Sequence, residues 1–176
     1  MMRKFKRIDL TNATEDYFLK VGEEAYISFS NVTQVPLHIA TQDGTYYEMH
    51  IIPSNTGGTS GGTLGAVYLY PNNTTYSDAF YYAQFFRSLY GFYSHHELYS
   101  AYRIGFLISC ITAWVTNRTQ YKNVRGTHDT YGLNYYYPTM FVFSTDWRDT
   151  TTAWTSLGTV VFPQSTTGEI LVRRLR

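Results

Sequence analysis

The sequence predicts an all-β protein, an antiparallel β-sandwich of jelly-roll type, on the basis of three observations. Apolar and polar residues alternate with a period of two in several separate runs, which places successive side chains on opposite faces of a strand. Turn-forming residues separate these runs at short intervals, as they do in all-β sandwiches. Aromatic residues make up 18% of the chain, with 18 Tyr and 11 Phe, and both residue types favour strands.

The length predicts a single β-sandwich domain spanning residues 1–176. Domains of roughly 100–200 residues are typical, and a chain of 176 residues can bury a core large enough to fold without a disulfide or metal. Cys110 is the only cysteine, so no intrachain disulfide can form.

The first half of the chain predicts a β-hairpin over residues 35–52. The runs VPLHIATQ and TYYEMHII alternate in polarity, and Asp43 and Gly44 stand between them. An Asp-Gly pair fits a two-residue hairpin turn, which requires positive φ. The preceding run EAYISFS, residues 24–30, predicts another strand, and the glycine-rich residues 54–65 predict an exposed loop.

The middle of the chain predicts further strands. Residues 77–93 fit either an amphipathic helix or a strand, and their aromatic density favours a strand. Residues 101–116, AYRIGFLISCITAWVT, predict one long strand, with Cys110 on the same face as Tyr102 and Trp114 and a smaller, more mixed set of side chains on the other face. Residues 137–145, YPTMFVFST, predict another strand.

Two polar segments in the same region predict loops. His95, His96 and Glu97 stand together between two aromatic segments, and adjacent histidines in a strand would point in opposite directions, so they cannot easily share one metal. Residues 117–132 are polar and rich in turn formers.

The C-terminal stretch WTSLGTVVFPQSTTGEILVRRLR, residues 154–176, predicts a final β-hairpin with PQSTTG as its turn. Val160 and Phe162 alternate with polar or smaller neighbours before the turn, and Ile170 and Val172 do so after it. The chain therefore ends in a strand of the sheet, and that strand finishes on arginines.

No motif predicts catalysis, so no enzyme, catalytic residue or cofactor is expected. The sequence contains no GxSxG, HExxH, P-loop or GxGxxG pattern. His38, His50 and Glu48 are potential metal ligands, but zinc sites usually show closer Cys and His spacing. We interpret them as polar-face strand residues and predict no metal site.

Charge and hydropathy exclude two classes of partner. The formal net charge is +1 and charged residues make up only 15%, whereas nucleic-acid binding requires a concentrated basic field. The longest apolar stretch, residues 104–115, is about a dozen residues, whereas a membrane span needs roughly 20. The basic N-terminus has no apolar segment behind it, so no secretory signal is expected.

Carbohydrate binding is the alternative function. Trp147 and Trp154 lie in or beside the polar segment TDWRDTTTAW, and exposed tryptophans on β-sandwiches stack on sugar rings. In the competing interpretation, Trp154 packs against the next strand and Trp147 covers the end of the sheet.

The stretch of residues 154–176 resembles the closing hairpin of small β-rich structural proteins of tailed bacteriophages, which include capsid decoration, head-fibre and tail proteins. The segment VTNRTQYKNVRG, the low charge and the abundance of Tyr, Thr and Asn fit the same class. The resemblance implies a β-sandwich or jelly-roll subunit of a virion that binds other virion proteins and forms a homo-oligomer in the particle. It implies no catalytic residues.

The three C-terminal arginines are the predicted subunit contact. Arg173, Arg174 and Arg176 would pair with acidic groups on a neighbouring subunit, because arginine binds carboxylates in a bidentate geometry and is enriched at interfaces. The equally open alternative is that they are solvated charges that keep the terminal strand soluble. A carbohydrate- or receptor-binding module is the second hypothesis for the whole chain.

Overall fold

A computed structural model of the chain describes residues 6–55, 68–73, 81–89, 93–101, 110–115, 122–130, 139–147 and 152–176. In these ranges the regular structure consists of β-strands and one short 3-10 turn at Pro71–Asn73, which confirms the predicted all-β class. The strands are β1 Arg7–Asp9, β2 Tyr17–Phe18, β3 Glu24–Pro36, β4 Ile39–Ala40, β5 Thr45–Asn55, β6 Tyr68–Tyr70, β7 Tyr81–Leu89, β8 Tyr93–Ala101, β9 Cys110–Val115, β10 Lys122–Thr130, β11 Thr139–Trp147 and β12 Thr159–Arg174.

Ten of these strands form one sheet. Its order is β1-β3-β12-β5-β9-β10-β11-β7-β8, with β6 paired to β12, while β2 and β4 form a separate two-stranded sheet. All pairs are antiparallel except β1 with β3 and β2 with β4. The two facing sheets that a sandwich or jelly roll requires stay a prediction. No helix in the described ranges is long and apolar enough to cross a bilayer.

Strand β12 lies between β3 on one side and β6 and β5 on the other. It pairs with β3 from one end to the other. On its opposite side it pairs first with β6, through residues 159–161, and then with β5, through residues 167–174. Buried side chains of β12 include Val160, Phe162, Thr166, Ile170 and Val172.

The predicted C-terminal hairpin is wrong, because residues 159–174 form one continuous strand. PQSTTG does not reverse the chain. The register between β12 and β3 instead shifts between Val161 and Thr166 and again between Thr166 and Gly168. Pro and Gly within a strand fit such bulges as well as they fit turns. Strand β3 bends opposite them at Asn31, which has a φ of 52°.

The predicted hairpin over residues 35–52 is also wrong, although its turn exists. Gly44 adopts a φ of 73° within a turn, as expected. The preceding segment is interrupted at His38, which has a φ of 51°, so only the two-residue β4 follows and it pairs with β2. Strand β5 pairs with β12 and β9 instead.

In the middle of the chain the structure confirms some predictions and corrects others. β7 and β8 pair in antiparallel fashion, so the strand interpretation of residues 77–93 holds for the residues described. β11 confirms the strand predicted at residues 137–145 over its described part, residues 139–145. His95, His96 and Glu97 lie in β8 rather than in a loop. The polar β10 is a strand because β9 and β11 pair with it on both sides. Residues 56–65 and 102–109 lie outside the described residues.

The core lies on one face of strands β3, β12 and β5 and extends to the segments around them. Its fully buried side chains of largest volume are Trp154, Tyr47, Leu19, Ile27, Leu37, Ile39 and Leu69. Four of these, Leu19, Leu37, Ile39 and Trp154, come from outside the large sheet. These segments therefore cover the core face of the sheet.

Hydrogen bonds from the side chain of Asn72 hold the main chain just before β12, an arrangement that we call the Asn72 junction. The Asn72 side chain accepts hydrogen bonds at Oδ1 from the main-chain N–H groups of Thr155 (2.8 Å) and Ser156 (3.0 Å) and donates from Nδ2 to the Ala153 carbonyl (2.7 Å). Gly158 follows with a φ of 97°. The junction ties the turn after β6 to the start of β12.

We expect Gly158→Ala to destabilise the protein by about 3 kcal/mol or more. The added Cβ would overlap the Tyr70 carbonyl oxygen, and the positive φ adds strain of its own. The matched control is Gly44→Ala, which has a φ of 73° and open space where its added Cβ would lie, and we expect a loss of about 1 kcal/mol there. Urea unfolding measures both, and equal losses would contradict the role of the close approach.

Candidate subunit-binding face

The side of β1, β3, β12 and β5 that faces away from the core forms a surface that we call the outer sheet face. Alternation along each strand assigns residues to it, because the intervening residues are buried in the core. The residues of the outer sheet face are Arg7, Asp9, Glu24, Tyr26, Ser28, Glu48, His50, Ile52, Glu169, Leu171 and Arg173.

Four charged residues of alternating sign lie side by side across this face, and we call them the charged row. The strand register pairs Arg7 with Glu24, Glu24 with Arg173, and Arg173 with Glu48. Neighbouring strands are about 4.8 Å apart, so each charge has an opposite charge next to it. Cross-strand pairs of this kind each stabilise a sheet by roughly 0.2–1 kcal/mol.

Glu48 lies at one end of the charged row and has two partners. Its Oε1 atom is 2.6 Å from His50 Nε2, and Arg173 Nη2 lies 3.4 Å from Oε1 and 3.5 Å from Oε2. The hydrogen bond with His50 and the positive charge of Arg173 lower the pKa of the Glu48 carboxyl, while partial burial opposes them. Glu48 is therefore held in its charged form with a defined orientation.

A second row crosses the face next to the charged row. The register places Asp9 beside Tyr26, Tyr26 beside Leu171, and Leu171 beside His50. The guanidinium carbon of Arg7 lies 3.7 Å from the centre of the Tyr26 ring, a cation–π contact worth about 0.5–1 kcal/mol at an exposed site. This contact fixes Arg7 over the sheet.

A shallow depression lies in the centre of the outer sheet face. Its volume is about 270 Å³, and it is lined by Leu171 and Ile52 together with Glu24, Glu48, His50 and Arg173. Ile52 is 48% exposed. Protein–protein interfaces commonly combine apolar with charged side chains in this way.

The structure separates the three predicted arginines. Arg173 belongs to the outer sheet face, and 37% of its side chain is exposed. Arg174 lies on the opposite side, where it donates to the Leu19 carbonyl (3.0 Å) and lies over the Phe18 ring. Arg176 is exposed, and its main-chain oxygen accepts a hydrogen bond from Tyr46 N–H (3.1 Å). A subunit contact through these arginines stays a prediction, and Arg173 has the most suitable position for it.

The two tryptophans predicted to bind sugar lie in different places. Trp154 is 0% exposed and its Nε1–H donates to the Ser156 carbonyl at 2.7 Å, so the prediction of an exposed stacking platform is wrong for this residue. Its ring is needed in the core, as the packing interpretation had it. Trp147 is the last residue of β11 and pairs with Lys122 and Tyr81, and its side chain lies outside the described residues.

The histidines considered as metal ligands have separate carboxylate partners. His38 Nδ1 lies 3.6 Å from Asp16 Oδ1, and His50 is bonded to Glu48. In the part of the chain that the structure describes, no group of three or more His, Cys, Asp and Glu residues is placed to hold a metal ion.

The charged row is the feature that sequence reasoning missed. Its four residues come from four different strands, and each alone is an ordinary polar residue of the sequence. The available signal was that Glu24, Glu48 and Arg173 all fall at outward positions of predicted strands. No family model, curated protein or solved structure matches the chain. Function is therefore inferred from the sequence and from the geometry of this face.

We expect Glu48→Gln to reduce stability at neutral pH by at most about 1 kcal/mol, because the pairs are partly exposed. The pKa of Glu48 is lowered in the folded protein, so its contribution is complete above the usual carboxyl pKa of about 4.3. It is lost as pH falls through the lower folded value. Urea unfolding between pH 7 and pH 3 should show the wild type and the variant converging at acidic pH.

The control is Glu15→Gln, which changes an exposed carboxylate between β1 and β2. Its effect on the free energy of unfolding at neutral pH should be small. A constant difference for Glu48→Gln would contradict the role of the ionised carboxylate.

Proposed function

We propose that this chain is a structural component of a bacteriophage virion, of the capsid-associated or tail type, that acts by binding neighbouring subunits. The observation that carries the proposal is the outer sheet face. It combines ordered charges of both signs with two apolar side chains, Leu171, which is partly buried, and Ile52, which is 48% exposed.

The order of the charged residues supports binding rather than simple solvation. Arg7 is held over Tyr26, and Glu48 is held by His50 and Arg173. Side chains that are already fixed lose less conformational freedom when a partner binds. A solubilising surface has no need of such fixed positions, whereas a recognition surface benefits from them.

The virion context of the proposal comes from the sequence. Residues 154–176 resemble the C-terminal region of phage structural proteins, and low charge with abundant Tyr, Thr and Asn is typical of that class. Because these residues form one strand rather than a hairpin, the support is one of residue content and not of turn geometry. In a particle, many copies are held close together, so weak individual contacts give a stable assembly.

Truncation of residues 170–176 is not a clean test of this proposal. Ile170 and Val172 are fully buried in the core, and a truncated chain would lose core packing worth several kcal/mol. Loss of assembly would then report unfolding. Surface substitutions and direct detection are needed instead.

We expect the chain to be present in purified particles of a phage that encodes it, at a reproducible copy number. Quantitative mass spectrometry of density-purified particles measures this, with a major capsid protein as the internal reference. Host cytosolic proteins of similar abundance in the lysate serve as the carry-over control. Recovery at no more than their level would contradict the proposal.

A further inference from the structure

We infer that the outer sheet face binds the same face of a second copy of this chain, about a two-fold axis that passes through the middle of the charged row, between β3 and β12. The inference rests on the proposed function, since it identifies the partner in subunit binding. Two-fold interfaces bring identical patches together and are the commonest in homo-oligomers.

The charged row is self-complementary under a rotation that reverses its order. The row reads positive, negative, positive, negative from Arg7 to Glu48. A two-fold axis that runs parallel to the strands through its middle reverses that order in the second copy. Each Arg7 then faces Glu48 of the partner subunit, and each Glu24 faces Arg173 of the partner subunit, so the symmetric interface contains four opposite-charge pairs.

The second row matches itself in the same arrangement. The axis brings Asp9 opposite the partner's His50, and Tyr26 opposite the partner's Leu171. The first pair joins a carboxylate to an imidazole, and the second packs an aromatic ring on an aliphatic side chain. The two rows therefore agree on one position for the axis.

The alternating signs favour a second copy over other occupants. A nucleic acid presents one sign of charge, and it would be repelled by Glu24 and Glu48 as strongly as it is attracted by Arg7 and Arg173. A partner must present the reverse alternation at a spacing of about 4.8 Å, which is the spacing of neighbouring strands. The same face of a second copy presents this reversed alternation at the same spacing, because the two-fold axis reverses the order of the row.

The size of the face predicts a weak dimer in dilute solution. Four strands of about 20 Å cover roughly 400 Å² in projection, about half of what one partner buries in a standard interface. We therefore expect a dissociation constant in the micromolar range or above. Affinity should fall with added salt, because the contacts are largely charged.

The test uses two charge reversals, Glu24→Arg and Arg173→Glu, made separately in the full chain. In a homodimer of either variant, residues 24 and 173 of opposing copies carry the same charge, so dimerisation should weaken about tenfold or more. In a heterodimer of the two variants, both of these pairs join opposite charges. Glu24 of one copy faces Arg173 of the other, as in the wild type, and the substituted residues 24 and 173 face each other with their charges exchanged. Sedimentation velocity at low salt measures dimer fraction, and native mass spectrometry distinguishes heterodimers from homodimers.

We expect a wild-type dimer, two monomeric variants and a heterodimer in the mixture. Damage to the fold of each variant would not give a heterodimer on mixing, because each chain would stay damaged whether or not the other variant is present. A monomeric wild type, variants that dimerise as the wild type does, or a mixture that stays monomeric would each overturn the inference.

A matched control tests whether any charge reversal weakens dimerisation, and a second pair of variants replaces any variant that does not fold. Glu15→Arg reverses an exposed charge between β1 and β2 and should dimerise as the wild type does. If thermal unfolding shows that Glu24→Arg or Arg173→Glu is not folded, Arg7→Glu and Glu48→Arg replace them, and their mixture is expected to recover dimers in the same way.

The inference and the proposed function fail separately. A wild-type monomer that is nevertheless abundant in purified particles would overturn the two-fold contact and leave the virion role standing. A dimer that responds to the charge reversals as expected, from a chain absent from particles, would support the contact and overturn the virion role.

Discussion

The position of β12 is the constraint on which the described structure depends. One strand of 16 residues is hydrogen-bonded to β3 along one side and to β6 and then β5 along the other. It joins the first third of the chain to its last residues. Each contact closes a loop of more than a hundred residues, except for those with β6, and the entropy cost of such closure must be offset by burial. The fully buried side chains of Val160, Ile170 and Val172 supply this burial.

The change of partner along β12 explains why the strand is irregular. Its first residues pair with β6 and its last with β5, and the register against β3 shifts in between. A bulge increases the local twist and redirects a strand, so one strand serves two neighbours. The Asn72 junction fixes where β12 begins, and the main-chain bond from Gly22 N–H to the Arg174 carbonyl (2.8 Å) fixes where it ends.

The same register that builds the core orders the opposite face. Because side chains alternate along a strand, burial of Ile170 and Val172 forces Leu171 and Arg173 outward. A slip of one residue would put charges into the core, so the packing of the core protects the charged row against slippage. The core and the outer sheet face are thus two consequences of one register, and substitutions on the outer sheet face can leave the packing of the core intact.

The sequence by itself determined the all-β class and the inward or outward direction of most side chains in β3, β5 and β12, because alternation is a local property of a strand. It also located the turn at Gly44. Only the tertiary structure decided which strands pair. PQSTTG and residues 35–42 both fit a hairpin by composition. In the structure β12 is nevertheless continuous, and β4 pairs with β2 rather than with β5, because pairing with distant strands outweighs a local turn preference. The charged row likewise depends on strand pairing. Its four residues become neighbours only when strands far apart in sequence share one sheet.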